Sequence, residues 1–335
     1  MNTKRIISLV ASLALVLSLS VGLTGCGDKA AQDDNQGSTD GEGTKYTVGI
    51  CQLVQHEALD AATQGFIDAL NEALPGQVEF QNKNASGDNA NCSTIVNGFV
   101  SDGVDLIMAN ATGALTAAAA ATSDIPILGT SITAYGVALD LDDFNGTVGG
   151  NVSGTSDLAD LQAQAQMILD WFPETKTVGL LFCSAEPNSR YQIDEVRKAL
   201  EAQGVTCEEF AFTDSNDVSS VTQKAADFSD VVYIPTDNTA ASNTEAIANV
   251  LVPAGVPAIC GEEGICKGCG VATLSISYYD LGVTTGKMAA KILTGESKVE
   301  EMPIEYAPKF TKEYNPTIAE ALGITIPDDY VAYEG

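Results

Sequence analysis

The chain contains a single histidine, His56, in the stretch GICQLVQHEALDAATQGF from Gly49 to Phe66. A histidine that follows an apolar run can act as a general base, a metal ligand, a ligand-binding group or a polar residue at a helix start. The sequence has no G-x-S-x-G nucleophile elbow, Walker loop or strand-following G-x-G-x-x-G loop that would give His56 a catalytic partner. We therefore predict no catalytic residue, no enzymatic activity and no cofactor. His56 stays a candidate for ligand binding or for the start of a helix.

A second possible reactive group is the pair Cys266 and Cys269 in CKGC, two of the eight cysteines. A structural zinc site needs four ligands, and neither a second CxxC nor a neighbouring histidine supplies the other two. A redox pair would open a helix after a strand, whereas the surrounding CGEEGICKGCGVA is typical of a glycine-rich loop. We expect a local loop disulfide or free thiols here, and no metal site.

Acidic residues dominate the chain, which has 45 Asp and Glu against 16 Lys and Arg and a formal net charge of -29. Such a surface repels phosphate backbones, so we expect no nucleic-acid partner. The three arginines, Arg5, Arg190 and Arg197, are too few to clamp several phosphates. The composition, 45% hydrophobic and 18% charged, predicts a globular body that buries a substantial core.

The first residues predict where the protein is located. A basic start, MNTKR, precedes the apolar run IISLVASLALVLSLSVGL, and Leu23-Thr24-Gly25-Cys26 then has the pattern of a bacterial lipobox. We predict a signal peptide over 1–25, a lipid on Cys26 and a flexible polar tether over 26–45. The protein would then be anchored in the cell membrane on its extracytoplasmic face. Secretion with Cys26 unmodified is the alternative.

From residue 46 onwards, short β-branched apolar runs alternate with stretches of helical periodicity such as QIDEVRKALEAQG. This alternation indicates parallel sheets built from βαβ units. The pattern occurs twice, since YTVGICQ and KTVGLLFCS each precede a polar loop, a long helix and a second strand. We predict an α/β fold of two similar doubly wound lobes, the first over about 46–154 and the second from about 155.

Ligands of doubly wound sheets bind outside the carboxyl ends of the strands, so two facing lobes define a cleft between them. The loops expected at this cleft carry hydroxyls, amides and carboxylates, and almost no Lys, Arg or Cys. The candidate ligand-binding residues are His56, Thr112, Thr130, Ser131, Thr133, Asn188, Ser189, Asp237, Asn238, Glu263 and Tyr278.

A zwitterionic ligand needs an anion for its ammonium group and hydrogen-bond donors for its carboxylate. Asp237, before NTAAS, is the candidate anion, and capping of the following helix is its alternative role. Serine and threonine hydroxyls, together with helix N-terminal amides, would hold the carboxylate without arginine. For Ser189 the alternative is helix capping, and for Tyr278 it is packing on a lobe instead of stacking on a flat ligand.

Several segments resemble a known family. QLVQHEALDAATQGFIDAL, NASGDNANCSTI, YIPTDNTAAS, YYDLGVTTGKMAAKIL and the tail AEALGITIPDDY are similar to the substrate-binding lipoproteins of ABC importers with the type I periplasmic-binding fold. Within them, the resemblance is to the group that includes tryptophan and other aromatic amino-acid binders, and it covers about 46–330. The chain departs from this group at Glu57, where proline is frequent, and at Ser277, where an acid is common.

This resemblance implies a monomeric receptor that binds a small ligand, an aromatic amino acid by preference, and delivers it to an ABC permease with its ATPase subunits. A sugar or nucleoside receptor of the same fold and a sensor for a membrane signalling partner are the alternatives. The resemblance also implies a hinge of several crossings, near 153–157, 274–278 and 296–303. Lobe 1 would then comprise 46–154 and about 277–297, and lobe 2 would comprise 155–276 and about 298–335.

Overall fold

Two β-sheets, each covered by helices, organise the chain in a computed structural model that describes residues 45–307 and 309–333. The predicted signal peptide, the lipidated Cys26 and the tether up to residue 44 lie outside the described residues. Among the helices that are described, none is both long and apolar enough to cross a membrane.

The elements alternate between strand and helix along most of the chain. The strands are β1 (Tyr46–Gln52), β2 (Val78–Asn84), β3 (Leu106–Asn110), β4 (Ile127–Ile132), β5 (Val152–Ser156), β6 (Thr177–Cys183), β7 (Thr206–Phe212), β8 (Val231–Ile234), β9 (Ala258–Cys260), β10 (Ala272–Ser275), β11 (Glu305–Tyr306), β12 (Thr311–Tyr314) and β13 (Val331–Ala332). The helices are α1 (Glu57–Ala73), α2 (Asn89–Asp102), α3 (Thr112–Ala121), α4 (Tyr135–Ala138), α5 (Leu161–Trp171), α6 (Pro187–Glu201), α7 (Val218–Phe228), α8 (Asn238–Ala241), α9 (Thr244–Ala254), α10 (Glu263–Cys269), α11 (Tyr278–Leu293) and α12 (Pro316–Leu322), with a 3₁₀ turn at Val299–Glu301.

The first sheet has the strand order β11-β5-β4-β3-β1-β2, and all of its pairings are parallel. Its central strands β3 and β4 are buried along their whole length because helices cover both faces. The second sheet has the order β13-β12-β10-β9-β8-β6-β7, and β12 runs antiparallel to β10. These two lobes confirm the predicted α/β fold of doubly wound sheets.

Helix α11 follows the second sheet in sequence but packs along α1 of the first lobe. Glycines permit the close approach: a side chain at Gly65 would overlap the carbonyl of Tyr279, and one at Gly282 would overlap the carbonyl of Ala62. On the same helix, the Thr285 hydroxyl lies 2.9 Å from that of Thr155 in β5. These contacts fix α11 to the first lobe immediately after the chain leaves the second.

The chain crosses between the lobes after β5, after β10 and between β11 and β12. The third crossing therefore lies later than the predicted 296–303, and the assignment of residues from about 298 to lobe 2 is wrong as far as Tyr306. The physical reason is that Met302 and Ile304 are buried in the core of the first lobe. β11 then extends the first sheet beside β5.

The CKGC segment also differs from the prediction. Cys266 and Cys269 lie on α10, which begins three residues after β9, and not in a loop. The Glu262 carboxylate starts this helix by accepting hydrogen bonds from the backbone N–H groups of Gly264 and Ile265. All seven cysteines of the described chain are free thiols, and both members of this pair are buried.

Candidate ligand-binding site

A small cavity lies between the lobes, at the carboxyl ends of the strands of both sheets. Its water-accessible volume is only about 10 Å³, which is room for about one water molecule. A ligand of amino-acid size therefore enters only when the lobes separate. The lining residues are His56, Leu59, Ser131, Thr133, Asp157, Asn188, Thr236, Asp237, Asn238, Ala241, Glu262 and Tyr278.

Four buried polar atoms of this lining have no hydrogen-bond partner anywhere in the described chain: His56 Nδ1, Ser131 Oγ, Asp157 Oδ1 and Asn188 Oδ1. Buried polar groups are nearly always paired, because an unpaired one forfeits its hydration without compensation. His56 and Ser131 come from the first lobe, Asn188 comes from the second, and Asp157 lies on the first crossing. A polar ligand that touches both lobes would supply the missing partners.

His56 occupies the N-cap position of α1 with an extended backbone and makes no side-chain cap. Its Nε2 lies 3.3 Å from the Asn238 Oδ1 of the second lobe. Burial lowers the pKa of His56, so the imidazole is neutral near pH 7. With Nε2–H donating to Asn238, Nδ1 is left as an acceptor in the cavity. His56 therefore begins a helix and lines the cleft as well.

Ser131 has a backbone conformation that serine rarely adopts, with φ at 57°, in the left-handed region. Such a conformation costs about 1 kcal/mol or more and persists only where the surrounding structure imposes it. Here the parallel register between β4 and β5 shifts after Gly129, where Ser131 lies. The strand irregularity places the unpartnered Ser131 hydroxyl in the cavity.

Carboxylates are abundant at the cavity and beside it, but three of them, Glu186, Asp237 and Glu262, accept hydrogen bonds at helix starts. Glu186 accepts from the backbone and side chains of Asn238 and Thr239, at 2.7–3.0 Å, at the start of α8. Asp237 accepts from the N–H groups of Ala240 (2.8 Å) and Cys183 (2.6 Å). Its predicted alternative role as a helix cap is therefore what the structure shows.

Burial of these carboxyl groups is not compensated by cations. Among the described residues that line the cavity there is no Lys or Arg. Burial, followed by the charge of Glu186, raises the pKa of Asp237 to about 8, and burial raises the pKa of Glu262 to about 7. The site is thus suited to a group that carries a positive charge.

Seven of the predicted site residues line this cavity: His56, Ser131, Thr133, Asn188, Asp237, Asn238 and Tyr278. The other four do not. Thr112 lines an adjoining cavity, Thr130 lies 3.2 Å from the Thr155 hydroxyl inside the first lobe, Ser189 hydrogen-bonds to the Thr236 carbonyl, and Glu263 pairs with Lys267. Thr130 and Ser189 are fully buried in their own lobes, so a place in the strand-end loop was not sufficient.

Sequence reasoning missed Asp157, which is 4% exposed and directly follows the buried strand β5. Its Oδ2 accepts a hydrogen bond of 2.9 Å from the Tyr278 hydroxyl, which comes from the second crossing. A signal was available, since an aspartate that ends a buried strand at a predicted crossing must be near the cleft. Thr236 and Glu262 were missed as well, although each belongs to a loop expected there.

At the rim of the cleft, Lys267 of the second lobe joins the lobes. Its Nζ lies 2.6 Å from Glu57 Oε1 at the start of α1 and 2.7 Å from Glu263 Oε1 on its own helix. The two acidic partners raise the pKa of Lys267 despite its partial burial. Glu57, one of the departures from the resembled group, thus takes part in a contact across the lobes, which we call the rim ion pair.

A family model described as "ABC transporter substrate binding protein" matches residues 47–334, almost the whole described chain. The chain belongs to this family. The cavity described above lies between the two lobes of this substrate-binding protein. Within the described residues there is also no group of three or more His, Cys, Asp or Glu that could hold a metal ion.

Individual relatives of this substrate-binding protein agree with the family match. A tyrosine-binding protein of Clostridioides difficile (strain R20291) is 33% identical over 315 residues, covering 90% of this chain and 88% of the relative. An ABC domain from Streptococcus pneumoniae in complex with L-Trp is 32% identical, with a TM-score of 0.81 over 85% of this chain and 97% of that one.

A third comparison is with a structure described as ligand-free and open. The ligand-free, open structure of a Clostridium difficile substrate-binding protein with adhesive properties is 34% identical, covers 86% of this chain and 100% of that one, and has a TM-score of 0.65. Sequence identity is nearly equal to that of the L-Trp complex, whereas the structural similarity is lower. As a whole, the structure of this chain is therefore more similar to the L-Trp complex than to the open structure.

Proposed function

We propose that this protein is the receptor of an ABC importer for an aromatic amino acid, which it binds between its lobes and delivers to a membrane permease. The observation that carries the proposal is the set of unpartnered buried polar atoms that both lobes contribute to one cavity. The amino-acid class follows from their chemistry together with the excess of carboxylates. The aromatic class is supported by the tyrosine-binding relative and the L-Trp complex.

Each half of an amino-acid zwitterion has a chemical counterpart at the site. Acceptor atoms and carboxylates suit the ammonium group, while the hydroxyls of Ser131 and Thr133 suit the carboxylate. A ligand that contacts both lobes favours the closed form by the difference between its affinities for the closed and open forms. The closed form would then be the one that the permease recognises.

The location is part of the same proposal. A signal peptide over 1–25 and a lipid on Cys26 would attach a monomeric receptor to the extracytoplasmic face of the membrane, close to the permease and its ATPase subunits. The test is to express the full chain and the variant C26S in bacteria and to fractionate the cells. Wild type is expected with the membranes and C26S in the soluble fraction. Equal membrane content of both would contradict the anchor.

The ligand class is tested by a thermal-shift screen of the full-length protein against L-tyrosine, L-tryptophan and L-phenylalanine, a panel of sugars and a panel of nucleosides. A ligand present at a hundred times its Kd adds about 2.7 kcal/mol to the free energy of unfolding. We expect the three aromatic amino acids to raise the Tm and the other panels to leave it unchanged. A shift with sugars or nucleosides alone would contradict the proposal.

A further inference from the structure

We propose that Asp157, on the first crossing between the lobes, is the carboxylate that binds the ammonium group of the ligand. The inference rests on the proposed function only in that the ligand is taken to be an amino acid. It differs from the sequence-based assignment, which gave this role to Asp237. Three observations carry it: the bonding state of the cavity's carboxylates, the number of free acceptors and the contact with Tyr278.

The first observation is that the other buried carboxylates already use both of their oxygens. Glu186 accepts from α8 through both oxygens, Asp237 accepts from two backbone N–H groups, and Glu262 accepts from two more. Asp157 is the exception among the carboxylates lining the described cavity, because its Oδ1 has no partner while it is 4% exposed. A buried carboxyl oxygen without a partner is costly unless a ligand completes it.

The second observation is a match in number. A primary ammonium has three N–H donors. Within the described residues, three acceptors of the cavity have no hydrogen-bond partner, namely Asp157 Oδ1, Asn188 Oδ1 and His56 Nδ1. The Asn188 amide is oriented by its Nδ2, which donates to Glu186 Oε2 and to the Thr236 carbonyl, so its oxygen faces the cavity. The one remaining unpartnered atom, Ser131 Oγ, is a hydroxyl that can donate to the ligand carboxylate.

The third observation is how Asp157 is held. Tyr278 donates its hydroxyl to Asp157 Oδ2 at 2.9 Å, and the two residues belong to different crossings. This contact fixes the carboxyl plane and leaves Oδ1 directed at the cavity. Tyr278 is therefore a positioning residue. An ammonium bound to Asp157 would also be linked through Tyr278 to α11 and the first lobe.

The experiment compares wild type, D157N and D102N by titration calorimetry on the full-length protein. The ligands are L-tyrosine, L-tryptophan, L-phenylalanine and 3-(4-hydroxyphenyl)propanoate, which is L-tyrosine without its amine. Wild type is expected to bind an aromatic amino acid and to bind the amine-free analogue about 100-fold more weakly. Loss of the charge pair in D157N should weaken amino-acid binding about 30-fold or more and leave the analogue's affinity within threefold of wild type.

The control D102N makes the same change at an exposed aspartate at the carboxyl end of α2, outside the lining of the cavity, so its amino-acid affinity should stay within about threefold of wild type. Thermal melts of both variants establish that they are folded. D157N binding that matches wild type, or an equal loss in D102N, would overturn the assignment of Asp157. If wild type binds none of the three amino acids, the proposed function itself fails, and this result is distinct from the first two.

Tyr278→Phe separates positioning from direct contact. The variant keeps the ring and removes the hydroxyl that orients Asp157. We expect amino-acid affinity to fall between three- and tenfold and the preference for the amine-bearing ligand to shrink by the same factor. An unchanged preference would show that Tyr278 does not act through Asp157.

Discussion

Glu262 makes the stability of the unliganded protein depend on pH in a way that can be calculated. The side chain is 2% exposed, and its two oxygens accept from the backbone N–H groups of Gly264 (2.8 Å) and Ile265 (2.6 Å). These two hydrogen bonds favour the charged form, yet burial outweighs them and raises the pKa of Glu262 from 4.5 to about 7. The substitution Glu262→Gln removes the titration while keeping an acceptor for the helix start.

The sign follows from proton binding. Between pH 4.5 and about 7 the folded protein keeps the proton on Glu262 and the unfolded chain has released it. Stability is therefore lost as pH rises through this window, because the native state binds more protons. At about 1.4 kcal/mol for each pH unit of the window, Glu262 lowers the free energy of unfolding by about 3 kcal/mol between pH 4.5 and pH 8.

The assay is urea unfolding of wild type and E262Q at several pH values from 4.5 to 8, without ligand. Other groups titrate equally in both proteins, so the difference between the two unfolding free energies isolates Glu262. Relative to wild type, E262Q should gain about 3 kcal/mol over this range. A difference that stays constant with pH, or one that changes in the opposite direction, would refute the argument that burial governs this carboxyl group.

Two further predictions concern contacts around the cleft and the helices that form it. Lys267→Met breaks the rim ion pair, which contributes only about 0.5–1 kcal/mol because Glu57 is largely exposed. In titration calorimetry the affinity for the amino acid should fall two- to fivefold at low salt. The loss should be smaller at high salt, because salt screens the ion pair. The control Lys298→Met removes an exposed lysine far from the rim ion pair and should leave affinity unchanged, whereas equal effects of both variants would contradict a cross-lobe role. Gly282→Ala places a methyl group against the Ala62 carbonyl, so it should lower the free energy of unfolding, measured by urea denaturation, by about 2 kcal/mol or more. Gly98 lies at an exposed helical position with open space around it. Gly98→Ala should therefore raise the free energy of unfolding by about 0.5–1 kcal/mol. Equal effects of the two glycine substitutions would show that the close approach of α1 and α11 does not limit stability.

Much of the architecture could be predicted because it is encoded locally. Apolar runs of strand length and helices of 3.6-residue periodicity are visible in any window of the sequence, and their alternation specifies parallel sheets. Short elements could not be predicted in this way. β11 has two residues and no periodicity of its own, and it joins the first sheet because Met302 and Ile304 bury their side chains there. The glycines of CGEEGICKGCG are typical of a loop, so the sequence did not indicate the helix α10 that begins at Glu263.

The candidate site could be predicted as a region more readily than as a set of residues. The strand-end rule places His56, Ser131, Asn188 and Asp237 at one cavity because it depends only on the order of elements. It cannot say which way a side chain points, and Thr130, one residue from Ser131, faces the interior of the first lobe instead.

The sequence by itself determined that the chain folds as two similar α/β lobes with a polar, acidic cleft, because composition and periodicity act over a few residues at a time. The tertiary structure alone decided which of the carboxylates that line the described cavity keeps an oxygen without a partner. Asp157, Asp237 and Glu262 are chemically alike in the sequence, but two of them are used by helix N-termini. Asp157 is held by a tyrosine 121 residues away, and one of its buried oxygens has no partner in the part of the chain that the structure describes. Hydrogen-bond partners and burial depend on residues distant in the chain, so they exist only once the chain has folded.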